Sequence, residues 1–268
     1  CIEEPFLVRK DNAKIIELEA LEILGKEYYE KNGDVLNIKI CVTGPIELYT
    51  ELFGGTTYTD ILNILSTSVN RFITNSIENA KNFRISTVSI DEPSFGINPQ
   101  IMFEDNDIIK ALETSAKTSN NVDTEIHLHS PLHYKLVCQT DSINIINVES
   151  AANPSYLNLI DKKDLENYDK FLRVGISRTD IFRMAAILDE KYGINVWRSP
   201  SKLKEIITDI ETPIIIEKRL KKCCDMFNDK IKYAGPDCGL GSWSTQELAF
   251  NLLKNTGITI KNFNQNKL

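Results

Sequence analysis

At 268 residues the chain can bury one large core or two small ones. Its 42% hydrophobic and 26% charged residues suit a globular protein, and a net charge of −7 argues against a dedicated nucleic-acid binder, which would carry a basic stripe. No apolar run approaches the roughly 18 residues of a membrane helix, no signal-peptide core is present, and the six cysteines lack regular spacing, so a reducing, cytoplasmic chain without a disulfide framework is expected.

The chain opens on Cys1 and not on Met, which leaves an upstream segment open. No repeat, low-complexity run or linker divides it, so residues 1–268 are expected to form a single domain. Asp11 to Asn32 carries apolar residues at helical spacing (Ile15, Leu18, Leu21, Tyr28), and Gly33 is a natural stop. Asn37 to Thr43 reads as a strand ending in Gly44-Pro45. A long helix is expected from Thr59 to Asn82, capped by Thr59 or Asp60. Ile85 to Ile90 reads as a strand ending in Asp91-Glu92-Pro93, and Asp105 to Ser119 as a helix. Glu125-Ile126-His127-Leu128-His129 alternates polar and apolar, the period of a strand, so His127 and His129 face one side. Two imidazoles aimed together are half of a zinc site, though ordinary hydrogen-bonded histidines satisfy the same spacing.

Further strands are expected over Ser142 to Val148, ending in Glu149-Ser150, over Leu172 to Ile176, ending in Ser177-Arg178, and over Ile231 to Ala234, ending in Gly235-Pro236-Asp237-Cys238-Gly239. Between and after them, helices are expected over Thr179 to Tyr192, Ser201 to Ile210, Pro213 to Phe227 and Ser244 to Asn255, with Gly257 past the last end. Short apolar strands that alternate with helices argue for a parallel sheet. Thr43, Asp91, His127, His129, Glu149, Arg178 and Cys238 all follow strands directly. A (β/α)8 TIM barrel gathers residues from many strand ends at its carboxyl face, whereas a doubly wound sheet uses one switch point, so the barrel is the expected α/β fold.

The ordered set Thr43-Gly44-Pro45, Asp91-Glu92-Pro93, His127-Leu128-His129, Glu149 and Pro236-Asp237-Cys238-Gly239-Leu240 resembles the catalytic barrel of cobalamin-independent methionine synthase. It also resembles the wider zinc-dependent methyltransferases on that barrel, and the match spans Ile38 to Leu240. The resemblance implies a zinc ion held by His127, His129, Glu149 and Cys238. It implies Asp91 on the amino group of homocysteine, with Ser150 as a second substrate contact. Zinc would bind the acceptor thiol as a thiolate, which attacks an activated methyl group to give methionine. The implied donor is a methylated corrinoid, free or on a corrinoid protein, or a folate. Neither nucleic acid nor membrane is an implied partner.

Three features depart from that family. Position 129 is His where the family has Cys, which leaves two negative ligand charges instead of three. Cys138, well past the strand, is the other thiol in this part of the chain. The family's late histidine acid is absent from Gly175-Ile176-Ser177-Arg178-Thr179-Asp180, where Asp180 or Arg178 stands in. The family's first strands, one bearing a substrate-binding Glu, have no clear counterpart, and only Glu3 and Glu4 offer a carboxylate there.

Plainer readings compete at single residues. Asp91-Glu92 could cap a helix or turn before Pro93, and Glu149 could be a surface carboxylate. Cys238 could be a packing residue, as Cys41, Cys223 and Cys224 are expected to be. Trp243 packs on the fold or walls the site, and Lys218, Lys221 and Lys222 read as a solvated helix side. Among whole-chain alternatives, coenzyme M as acceptor lacks an amino group for Asp91. A metal-dependent hydrolase would place His-x-His on its first strand, with later histidines. A barrel that has lost its site is the third.

Overall fold

The computed structural model describes residues 5–118 and 122–265. Six strands form one sheet in chain order: β1 (Leu36–Thr43), β2 (Phe83–Asp91), β3 (Asp123–Leu128), β4 (Ile145–Val148), β5 (Phe171–Ser177) and β6 (Ile231–Pro236). The pairs β1–β2, β2–β3 and β5–β6 are parallel. The helices are α1 (Leu18–Asn32), α2 (Pro45–Phe53), α3 (Thr59–Asn79), α4 (Asp105–Ala116), α5 (Tyr134–Cys138), α6 (Lys162–Asn167), α7 (Ile181–Tyr192), α8 (Pro200–Leu203), α9 (Pro213–Phe227) and α10 (Gln246–Gln265). No helix among the described residues is long and apolar enough to cross a membrane.

The expected (β/α)8 TIM barrel is corrected here. A closed barrel has no end strands, whereas β1 and β6 stand at the two ends of the sheet. Ahead of β1 the described residues form a 3-10 turn (Lys10–Asn12) and α1, and after β6 they form α10, so neither flank supplies a seventh or eighth strand. Glu3 and Glu4, and the expected helix end at Ser119, lie outside the described residues. The chain forms two compact units, Cys1–Ile146 with Asp164–Lys170, and Asn147–Lys163 with Phe171–Leu268.

In the first unit β1, β2 and β3 alternate apolar and polar faces. Ile40, Val88, Ile90 and Ile126 are buried. Helices α3 and α4 add Leu62, Leu65, Val69 and Ile73, and Ile108, Ala111 and Leu112, to that core. The register skips Ser86 between Ile38↔Ile85 and Lys39↔Thr87. That extra residue is why Phe83 and Ile85 at odd positions, and Val88 and Ile90 at even ones, are all buried. Helix α1 ends on Gly33 at φ 72°, as its sequence predicts. Helix α3 starts on Tyr58 without a side-chain cap, so neither Thr59 nor Asp60 caps it. Thr59 instead donates its hydroxyl to Asp107 at 3.2 Å.

In the second unit Ile181, Met184, Ala185 and Leu188 of α7 pack with Val196, Leu203, Ile206, Leu248, Leu252 and Trp243. The Trp243 indole donates to Thr179 O at 3.1 Å, so the ring is a core member with a satisfied N–H. The helix expected over Ser201 to Ile210 divides into α8 and a π turn, Ile206–Ile210. Helix α10 runs through Gly257 and does not stop before it. Leu248, Leu252, Thr256 and Thr259 are buried at helical spacing across that glycine, and their packing outweighs its cost of about 1 kcal/mol.

Candidate metal centre

The register of the first unit sets Thr43, Asp91 and His127 side by side at the carboxyl ends of β1, β2 and β3. One layer below lie Cys41, Ser89 and Glu125, also in register. Cys41 is exposed there, against the expectation of a packing role. Glu125 is fully buried and meets Lys39 Nζ at 2.5 Å. Ser89 donates to Asp91 Oδ1 at 2.7 Å. Burial pushes the Asp91 carboxyl above its ordinary range, while the Ser89 hydroxyl and the Lys39 charge pull it back. His127 is buried and His129 half-buried just past the strand end. Their ring centroids are 5.2 Å apart, so the two-residue spacing does bring both imidazoles together.

Glu92 turns the other way. It is fully buried, and its Oε1 and Oε2 accept from the backbone N–H groups of Ile46 (2.9 Å) and Glu47 (2.7 Å) at the start of α2. Burial pushes its pKa up to about 8, against the pull of those two amides. This explains two sequence motifs at once. Pro45 opens α2 in the position where a missing N–H costs nothing. Gly44 leaves the room that the carboxylate fills, since a Cβ there would sit 2.1 Å from Glu92 Oε1. The capping role weighed for Asp91-Glu92 therefore belongs to Glu92, and it serves a helix that the periodicity does not announce.

The second unit repeats the device. Asp237 is 1% exposed and accepts from Ala151 N (2.9 Å) and Ala152 N (2.7 Å), which fixes the loop that carries Glu149 and Ser150. Burial raises its pKa to about 7, with the nearby Glu149 charge pushing the same way. A Cβ on Gly175 would lie 1.7 Å from Asp237 Oδ1. Buried Glu211 receives Arg178 N at 3.0 Å and a two-pronged ion pair from Arg219. Ser150, expected on the substrate, donates its hydroxyl to Gly175 O at 2.8 Å. Asp180, expected as a stand-in acid, accepts from Arg178 Nε (2.8 Å) and Nη2 (2.7 Å). That pairing fixes the fork of the arginine through two of its nitrogens.

Cys138 is buried at the end of α5, with its thiol pushed up to about 11 by burial. Cys223 is buried in α9 and raised to about 12 for the same reason. Neither environment favours the thiolate that a metal needs. Sequence reasoning passed over Asp237 and Glu211 as loop anchors and weighed Glu92 only together with Asp91, as a cap. The available signal was glycine: an isolated Gly in or beside an apolar strand marks a close approach of another group, as at Gly44 and Gly175.

His127, His129, Glu149 and Cys238 each offer one ligand atom, and these atoms lie within 4.8 Å of one another. Zinc bonds of about 2.0–2.3 Å to nitrogen, oxygen and sulfur put tetrahedral ligand atoms about 3.4–3.7 Å apart. Two imidazoles, a carboxylate and a thiol are a normal zinc donor set, and the cluster is compatible with such an ion. His129→Ala is expected to loosen zinc by roughly ten- to a hundredfold or more, and His129→Cys to keep it. Competition with a chromophoric chelator measures both. An Ala variant that holds zinc as firmly as the parent would show that His129 is no ligand.

The fold is similar to that of a methyltransferase from Methanosarcina mazei, with a TM-score of 0.56 at 14% identity. The likeness covers 92% of this chain but 65% of that one, so this chain spans under two thirds of its neighbour's length. At that identity the likeness concerns the fold alone. No protein-family model and no curated protein matches the sequence.

Proposed function

We propose that this chain is a zinc-dependent methyltransferase with a thiol acceptor, homocysteine before others, which it converts to methionine. The observation that carries the reading is the cluster of His127, His129, Glu149 and Cys238. The methyltransferase named among the fold's neighbours supports methyl transfer as the reaction class.

In this reading His127, His129, Glu149 and Cys238 hold the ion. A bound zinc supplies acidity: a free thiol is mostly protonated near pH 7, and coordination deprotonates it. Because His replaces a thiolate at position 129, the centre carries one negative charge fewer, which favours deprotonation of the acceptor and tempers its nucleophilicity. Asp91 meets the ammonium group of an amino-acid thiol, with Ser89 fixing one carboxylate oxygen by its hydroxyl. Burial that discourages a bare Asp91 charge makes an arriving ammonium a stronger partner, since the pair forms where water screens it less. The methyl donor is a methylated corrinoid, free or protein-bound, or a folate.

Asp91→Asn keeps the shape of the side chain and removes its charge. It is expected to weaken homocysteine at least tenfold and to leave coenzyme M, which lacks an amino group, within about twofold. Binding can be followed in protein loaded with cobalt(II), through the thiolate-to-metal absorbance. Equal losses for both thiols would make Asp91 structural. A parent protein that takes up metal and binds no thiol would end the thiol reading altogether.

A further inference from the structure

Arg178 is held more firmly than a structural ion pair requires. Its backbone N–H is fixed by Glu211, which is itself fully buried and clamped by Arg219 at 2.7 and 2.8 Å. Its guanidinium is fixed by Asp180, through Nε and Nη2. The side chain is 15% exposed. Of the five N–H groups of a guanidinium, these contacts use two, and Nη1 has no partner among the described residues. An arginine whose rotamers are already frozen loses little entropy when it takes up an anion.

Its place in the second unit matters as much as its rigidity. Ser177 pairs in register with Pro236, and Asp237 N donates to Ser177 O at 2.9 Å. Arg178 therefore follows β5 where Asp237 and Cys238 follow β6. The carboxylates whose charges act on it are Asp180, Glu211 and Asp237. Each is engaged already: Asp180 with Arg178, Glu211 with Arg219, and Asp237 with the amides of Ala151 and Ala152. The edge of Arg178 that bears Nη1 is left for a ligand.

We propose that Arg178 is a specificity residue that binds the anionic group of the acceptor thiol, a carboxylate or a sulfonate; this rests on the thiol-acceptor reading above. A planar fork matches either acid.

The test uses metal-loaded full chain and three thiols: homocysteine, coenzyme M and uncharged 2-mercaptoethanol. Arg178→Gln is expected to weaken homocysteine and coenzyme M at least tenfold each and to leave 2-mercaptoethanol within twofold. Arg178→Lys, which keeps the charge that Asp180 needs, guards against misfolding and is expected to weaken the two anionic thiols severalfold, again sparing 2-mercaptoethanol. A larger loss for homocysteine alone would identify the carboxylate as the group bound, and one for coenzyme M alone the sulfonate. Variants that weaken all three thiols alike, or none, overturn the role of Arg178 and leave thiol binding standing. A parent protein that binds no thiol overturns both.

Discussion

Replacing Cys238 with Ser is expected to strip the protein of most of its metal, with the affinity for zinc falling at least a hundredfold. The serine hydroxyl is nearly isosteric with the thiol but remains protonated near pH 7 and is a poor zinc ligand, while even groups behind the ligands cost roughly ten- to a hundredfold when lost. Cys238 is half-buried in a loop whose preceding residue, Asp237, is fixed by two backbone amides. The substitution should therefore remove a ligand without moving the chain. Cys41→Ser is the control, since Cys41 is an exposed thiol. The measurement is zinc per chain after dialysis, then chelator competition, with circular dichroism to confirm the fold. One zinc per chain in Cys238→Ser, held as firmly as in the Cys41→Ser control, would remove Cys238 from the site.

Gly175→Ala is expected to destabilise the protein by at least about 3 kcal/mol. A methyl group 1.7 Å from Asp237 Oδ1 cannot coexist with the carboxylate. Overpacking a core costs about 1–3 kcal/mol, and each buried amide left without its acceptor costs about 1–3 more. Both Ala151 N and Ala152 N lose their partner if Asp237 withdraws. At about 2–4 °C per kcal/mol for a chain of this size, the melting temperature should fall by about 10 °C. Because Asp237 precedes Cys238 and fixes the loop after Glu149, metal affinity should fall with it. A melting temperature within about 2 °C of the parent would show that the Asp237 carboxylate does not sit against Gly175.

The alternation of β1, β2 and β3 is plain in the sequence because one face of each strand packs under helices and the other stays polar. For the same reason the two-residue spacing of His127 and His129 was a sound guide to their common side. Residues directly after strands were also legible as a class, since parallel strands end together. The number of strands was not. Six strand-like runs are present, and the closed barrel was inferred from the polar residues gathered at their ends; neither flank of the sheet provides a seventh or eighth strand among the described residues. Helix α2 escaped because its nine residues are punctuated by Pro45 at the start and its cap comes from Glu92, 46 residues from its partner Ile46. Helix α10 was cut short at Gly257 because a local propensity of about 1 kcal/mol is weaker than a buried stripe of four side chains. The pairing of Asp180 with Arg178, two residues away, gave no periodic signal.

Asp91 and Glu92, and again Asp237 and Cys238, are neighbours in the chain with opposite duties. Glu92 and Asp237 are buried and grip backbone amides, while the proposed function gives Asp91 and Cys238 the work on substrate and metal. Anchor and working residue can therefore change independently. In that reading a substitution at 91 or 238 would alter what the site does and leave the loop where it was, whereas one at 92 or 237 would move the loop whatever the site contains. A scaffold so divided can change its working residues without first surviving a loss of fold.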